Sequence, residues 1–440
     1  MVPADAHESA AGSARLVRSM GRLTLAALML NSVIGSGIFG LPGTVHGLLG
    51  HAAPLAYLVA GAGIGLVMAC FAEVGSQFQT SGGIYLYARH AFGRFAGIQM
   101  GWMALMVRVS AHAAIANVLV VYLAEFVPDV SAPLPRAAVI AAVLGVLAGI
   151  NILGIRQGAM ANNVFTVAKL TPLVAFVCVG LFLAGDRIPA PVNSAGPATW
   201  AHALLVLVFA YGGFESALIP MGEARNPRRD IPMALFVCVL ACAALYTAIH
   251  VVVLAALPDP SASTRPLADA ARALVGSGGA VFMAAGAVVS IVGILGAGMV
   301  NTPRLYFALA EGGDFPRALA TVHTRYRTPH VSLLLYAASV CVLAIGGTFM
   351  WNAVLSAAGR LLTYGVVCAA LLVLRRTEPH ADAYRVPAGR LVALLGLGFA
   401  AVLVLQMGLP EFVAIAATMG VALVNWWWVT RRGERVSPSP

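Results

Sequence analysis

The sequence predicts an all-α polytopic membrane protein that forms a single membrane domain over residues 1–440. Two observations support this fold class. The chain is 60% hydrophobic and only 10% charged, a composition that a soluble domain does not need. It also divides into twelve apolar segments, each close to the roughly 20 residues that cross a bilayer as a helix. We therefore expect twelve transmembrane helices joined by short loops.

The predicted limits of these spans follow the apolar runs in chain order. They are 23–42, 53–73, 92–124, 137–154, 162–184, 200–220, 232–257, 278–303, 331–347, 351–374, 391–409 and 411–429. Only Leu409-Pro410-Glu411 separates the last two. The first 20 residues contain no short apolar region followed by a cleavage site, so we expect the first span to be retained.

The net charge of +10 does not indicate a nucleic-acid partner, because its placement follows a membrane pattern. With the N-terminus in the cytoplasm, twenty of the 27 basic residues fall in inside segments, four in outside loops and three within spans. Cytoplasmic loops carry such an excess of basic residues. The pattern predicts cytoplasmic tails at 1–20 and 431–440 and a multi-pass protein of the cell membrane, here a bacterial inner membrane.

The first span contains an interruption, Asn31-Ser-Val-Ile-Gly-Ser-Gly-Ile-Phe-Gly-Leu-Pro-Gly43. Glycine loosens helical geometry, and proline removes a hydrogen-bond donor. Unwound backbone at membrane depth occurs where it is buried in protein or lines a cavity. The stretch therefore predicts a broken helix, and a glycine-rich surface for helix packing is the alternative.

The sixth span repeats this pattern with Gly212 and Gly213, followed by Glu215. Interrupted helices at matching positions in two halves indicate the binding site of a transporter. The spacing predicts a 5+5 inverted repeat in which both helix 1 and helix 6 are broken. Helices 1–5 would occupy 22–185 and helices 6–10 would occupy 200–375, with two further helices in 390–430.

Four of the ionisable side chains at membrane depth, where a charge is costly, are candidates for a function: Arg108, His112, Lys169 and Glu215. Arg108 and His112 are four residues apart and share one helix face. Lys169 is the only lysine in the chain, and a desolvated lysine can release its proton whereas arginine stays charged. Structural explanations stay open: a pair between Arg108 and Glu215, a core imidazole at His112, and a Lys169 that extends to the membrane surface.

The sequence contains no motif of a soluble enzyme. It lacks a phosphate-binding loop, HExxH and GxSxG, and its six cysteines lack metal-site spacing in a polar loop. We therefore expect no enzymatic activity, no cofactor and no metal. ATP-driven transport by this chain alone is disfavoured for the same reason.

Taken in order, the motifs resemble those of the amino acid–polyamine–organocation (APC) transporters over nearly the whole chain. The strongest match is the sixth span, from Phe209 to Glu215, with the loop Gly222-Glu-Ala-Arg-Asn-Pro-Arg-Arg-Asp-Ile-Pro232. Gly35-Ser-Gly-Ile-Phe39 comes next, and Arg304-Leu-Tyr-Phe-Ala-Leu-Ala310 is the third.

The resemblance implies a secondary active transporter that works by alternating access, with its site between broken helices 1 and 6. The amides around Ser36, Gly37 and Ile38 would hold an amino acid carboxylate. The α-ammonium would lie against the carbonyl groups of Val33, Phe209 and Gly212, and Phe209 would close over the substrate.

The resemblance also implies how transport is driven. Glu215 matches a gating or coupling carboxylate. Lys169 matches the lysine that takes the place of a sodium ion in proton-coupled members. The expected mode is therefore proton symport or exchange, with protons, an amino acid and the lipid bilayer as partners. A homodimer is left open.

Arg108 should lie near the site and would repel a cationic side chain unless Glu215 neutralises it, so a neutral L-amino acid is favoured. Two alternative functions stay open. One is a polyamine or basic amino acid antiporter in which Glu215 binds the second cation. The other is an amino acid sensor that does not transport, which the short tails disfavour.

Overall fold

The computed structural model describes residues 22–78, 82–154, 159–185, 190, 192, 195–218, 226–377 and 384–434. The predicted N-terminal tail, residues 435–440 of the C-terminal tail and residues 222–225 of the loop after the sixth span lie outside these ranges. Over the described ranges the protein is helical and has no strand.

Sixteen α-helices occupy the described ranges. They are α1 Arg22–Val33, α2 Ser36–Gly40, α3 Pro42–Leu49, α4 Ala53–Ser76, α5 Gly83–Leu123, α6 Pro133–Ile152, α7 Ala159–Ala184, α8 Pro197–Tyr211, α9 Phe214–Ala217, α10 Pro227–Ala256, α11 Pro266–Val275, α12 Ser277–Glu311, α13 His330–Gly346, α14 Phe349–Thr377, α15 Gly389–Val404 and α16 Leu409–Glu434.

Nine helical stretches of the described chain are long and apolar enough to cross a membrane. Three more apolar helices are shorter, at 10–17 residues: Leu25–Gly40, His330–Gly346 and Gly389–Val404. Each of these stretches falls on one of the predicted spans. The polytopic all-α class is therefore confirmed, whereas twelve crossings and the inverted repeat stay predictions.

Several predicted span limits were wrong. The first span does not end at residue 42, because α3 continues to Leu49. Pro42 stands in the first turn of α3, where its missing donor costs nothing. The third span begins at Gly83 rather than at 92, with a kink at Gly93 (φ 87°). The short helix α11, which packs on α12, was not predicted.

The helices differ in what they face. Tyr122 of α5 and Tyr364 of α14 are fully buried, and these two helices pack against each other at the centre of the bundle. By contrast, Leu134 of α6, Phe182 of α7 and Leu405 after α15 are each more than 80% exposed. An apolar exterior of this kind is expected where helices face lipid.

Buried carboxylates hold the bundle together at the end where α4 stops and α5 begins. Glu73 is 2% exposed and accepts two hydrogen bonds of 2.6 Å from Arg375. Asp314 is fully buried and pairs with Arg89 at 2.6 Å and Arg94 at 2.7 Å. Removing one partner of such a pair is costly, so these contacts keep the helices that surround the site in register.

Candidate functional site

Both predicted helix breaks are confirmed. The first lies between α1 and α2, where Gly35 is extended (φ −131°, ψ −155°). The second lies between α8 and α9, where Gly212 is extended (φ −76°, ψ 163°) and Gly213 has a φ of 113°. That positive φ is readily adopted by glycine and strained for other residues. The backbone therefore leaves the helical path at both places.

The two breaks lie against each other. A Cβ atom on Gly37 would be 2.6 Å from the Cα of Ala210, and one on Gly213 would be 2.3 Å from the carbonyl oxygen of Ser32. The hydroxyl of Tyr246 donates to the carbonyl oxygens of Val33 and Ala210, both at 3.2 Å. Glycine thus allows a close approach that a tyrosine from α10 holds in place.

A cavity of about 310 Å³ lies beside the two breaks. It is enclosed by α1, α2, α5, α7, α8, α9, α12 and α14. All but one of the residues predicted for the site line it: Val33, Ser36, Gly37, Arg108, His112, Lys169, Phe209, Gly212 and Glu215. The exception is Ile38, whose side chain is fully buried on α2 and which does not line the cavity.

Lys169 binds the first break. It is 2% exposed, and its ammonium group donates to the carbonyl oxygens of Asn31 and Ile34, the latter at 2.9 Å. One of these carbonyls belongs to α1 and the other to the interruption. A lysine extended to the membrane surface is therefore excluded, and the charged side chain bridges the unwound segment.

Glu215 pairs with a residue that the sequence did not connect to it. Its carboxylate accepts hydrogen bonds from Arg360 Nε at 3.0 Å, the Tyr364 hydroxyl at 3.1 Å and the Gly213 amide at 2.8 Å. Arg360 and Tyr364 both come from α14. The suggested structural pair of Glu215 with Arg108 is therefore not formed, and Arg360 takes that place.

Arg108 and His112 lie on one face of α5, as predicted. His112 Nδ1 lies 2.8 Å from the carbonyl oxygen of Arg108, so this nitrogen carries a proton. Nε2 packs on α12, where a Cβ atom on Gly298 would be 2.1 Å away. Arg108 lines the cavity, and its guanidinium has no hydrogen bond or ion pair with any residue in the described ranges, although Glu215 acts on it electrostatically.

Two serines leave unused hydroxyl groups in the cavity wall. Ser36 and Ser290 are each 1% exposed and line the cavity. Neither Oγ has a partner among the described residues. A buried polar group without a partner costs free energy, so these hydroxyls suit a polar ligand.

Comparisons with known proteins identify the family of this chain. Residues 20–430 match the model of a family described as amino acid permease. The chain is 30% identical to a serine/threonine exchanger of Bacillus subtilis (strain 168), over 75% of this chain and 77% of that protein. It is 23% identical to a branched-chain amino acid permease of the same organism, over 98% and 97%. A cationic amino acid transporter of Arabidopsis thaliana is 25% identical, over 81% and 62%.

Proposed function

Because the chain belongs to the amino acid permease family, we propose that it is a secondary active transporter that moves an L-amino acid across the cell membrane by proton symport or exchange. The observation that carries the proposal is the cavity beside two adjacent helix breaks. Free backbone groups at such breaks bind the charged ends of an amino acid.

The first break would hold the substrate carboxylate. The opening amides of a helix have no acceptor within it, which leaves those of Ser36, Gly37 and Ile38 for an anion. The unused hydroxyl of Ser36 would donate to the same carboxylate. Ile38 would contribute only its backbone, because its side chain points away from the cavity.

The carbonyl groups of Val33, Phe209 and Gly212 would hold the α-ammonium. The Val33 oxygen already accepts from Tyr246, but a carbonyl oxygen has two lone pairs. The Phe209 ring packs 6.0 Å from that of Phe349, and both would shield the bound substrate on one side.

Replacing Gly37 with valine should abolish substrate binding, because its Cβ would collide with the Ala210 backbone and separate the two breaks. Scintillation proximity binding on purified protein measures this. Gly145→Val is the matched control, since nothing lies within 4 Å of a Cβ at Gly145. Normal affinity in Gly37→Val would show that the break does not form the site.

Lys169 would couple transport to protons. As an ammonium it bridges Asn31 and Ile34 across the first break. A neutral amine donates more weakly and loses the attraction of a full charge for the two carbonyl oxygens. Release of the proton would therefore loosen the break, and a loosened break would permit the change between states that face opposite sides.

The structure of the site disfavours cationic substrates. The antiporter alternative needs Glu215 to bind the second cation of the substrate. This carboxylate is already paired with Arg360, and Arg108 would repel that cation. Arg108 repels a cationic side chain unless Glu215 neutralises it, and Glu215 forms its ion pair with Arg360 instead. We therefore propose an amino acid without a cationic side chain, neutral or acidic.

Uptake into sealed proteoliposomes tests this function. Labelled leucine, glutamine, glutamate, arginine and putrescine are supplied with and without an inward proton gradient. We expect uptake of a non-cationic amino acid that the gradient or internal substrate stimulates. Preferred uptake of arginine or putrescine would support the antiporter. Binding without turnover would support a sensor, and sodium-dependent uptake with no pH effect would rule out proton coupling through Lys169.

A further inference from the structure

We infer that Arg108 selects amino acids whose side chain ends in a carboxylate, which makes acidic amino acids the preferred substrate class. This inference rests on the proposed function, because it assigns the side-chain end of the same cavity. It replaces the sequence-based preference for neutral amino acids.

The first step is the state of the charged groups in the cavity wall. Lys169 donates to two backbone carbonyls, and Arg360 is paired with Glu215 at 3.0 Å. Within the described part of the chain, the guanidinium of Arg108 is left without a partner. A cation enclosed at membrane depth is costly unless an anion accompanies it.

The second step is that no neighbouring side chain supplies this anion. Glu215 already accepts from Arg360, Tyr364 and Gly213. Glu215 also acts electrostatically on Arg108, but its ion pair is with Arg360. The described ranges contain no other carboxylate that lines the cavity.

His112 does not supply an acceptor to Arg108 either. Its Nδ1 is engaged with the Arg108 backbone, and its Nε2 lies against Gly298. The imidazole therefore forms a wall beside the guanidinium. The acceptor for the Arg108 guanidinium must therefore come from the substrate bound in the cavity.

The third step concerns which group of the substrate would accept hydrogen bonds from Arg108. The backbone of an amino acid brings one carboxylate and one ammonium, and the two helix breaks take both. Only a second carboxylate, on the side chain, adds the negative charge that offsets Arg108. The planar guanidinium fork matches a carboxylate with two parallel hydrogen bonds. A carboxamide or hydroxyl offers an oxygen without the charge, and a hydrocarbon offers neither.

Competition and uptake in proteoliposomes test the inference. Wild-type protein should transport L-glutamate or L-aspartate at least about tenfold more efficiently than L-leucine, the discrimination expected from a charge-assisted hydrogen bond. Arg108→Gln should lose about tenfold or more of the glutamate-to-glutamine preference while glutamine uptake continues. Arg108→Lys should retain part of the preference, because it keeps the charge without the fork.

Arg390→Gln is the matched control. Arg390 is exposed on α15, so the substitution removes the same charge outside the cavity. It should leave the preference unchanged. The wild-type substrate profile does not depend on whether Arg108→Gln folds. Equal transport of leucine and glutamate, or an unchanged glutamate-to-glutamine ratio in Arg108→Gln, would overturn the inference but not amino acid transport. A wild-type protein that transports no amino acid would overturn both.

Discussion

Replacing Lys169 with alanine should abolish accumulation of substrate against its gradient while binding persists. The ammonium group of Lys169 bridges two carbonyl oxygens of the first break, and alanine leaves that unwound backbone without its donor. The substrate-binding amides of α2 would remain in place. Accumulation driven by a pH gradient in proteoliposomes, compared with equilibrium binding on the same preparation, measures the difference.

The matched control is Thr171→Val on the same helix, because Thr171 is exposed and its hydroxyl bonds only to its own helix at Val167. It should accumulate substrate normally. If Lys169→Ala showed pH-driven accumulation equal to that of the wild type, Lys169 would have no part in coupling.

Replacing Arg360 with methionine should destabilise the protein by about 3–5 kcal/mol, because Glu215 would stay buried without its countercharge. Arg360 is 7% exposed, and without it Glu215 keeps hydrogen bonds from Tyr364 and Gly213 but no positive charge beside it. Transport should be lost as well, since only the Tyr364 hydroxyl would then join Glu215 of α9 to α14. Thermal unfolding in detergent and uptake in proteoliposomes measure the two effects.

The double variant Arg360→Met with Glu215→Gln separates the charge from the packing. It removes both members of the pair. We expect the double variant to recover most of the lost stability but not transport. Two charges removed together leave no uncompensated ion. A double variant as unstable as Arg360→Met alone would show that packing, not the ion pair, accounts for the loss.

The breaks were the most predictable part of the site. Glycine at positions 35, 212 and 213 loosens a helix, so a local pattern was enough to locate both interruptions. Lys169 was likewise identified because a single ionisable group inside an apolar span is conspicuous. Its two carbonyl partners, Asn31 and Ile34, were identified only by the structure.

Other features were harder to predict from the sequence. The first span was ended at residue 42 because its limits followed the apolar run, whereas Pro42 in fact stands in the first turn of the next helix. The helix α11 lies between spans, and no long apolar run in the sequence predicts it. Ile38 was assigned for its backbone amide, and the burial of its side chain in the core could not be read from the pattern.

By itself, the sequence determined the membrane class, the two interruptions and the presence of buried charges, because all three follow from local composition. Only the tertiary structure decided which charges pair. Arg360 lies 145 residues from Glu215 and reaches it because α14 packs beside the second break. That one contact occupies the carboxylate that could have neutralised Arg108, and Arg108 lines the cavity without an ion pair among the described residues. Pairing over such a distance depends on how helices pack, which no local pattern contains.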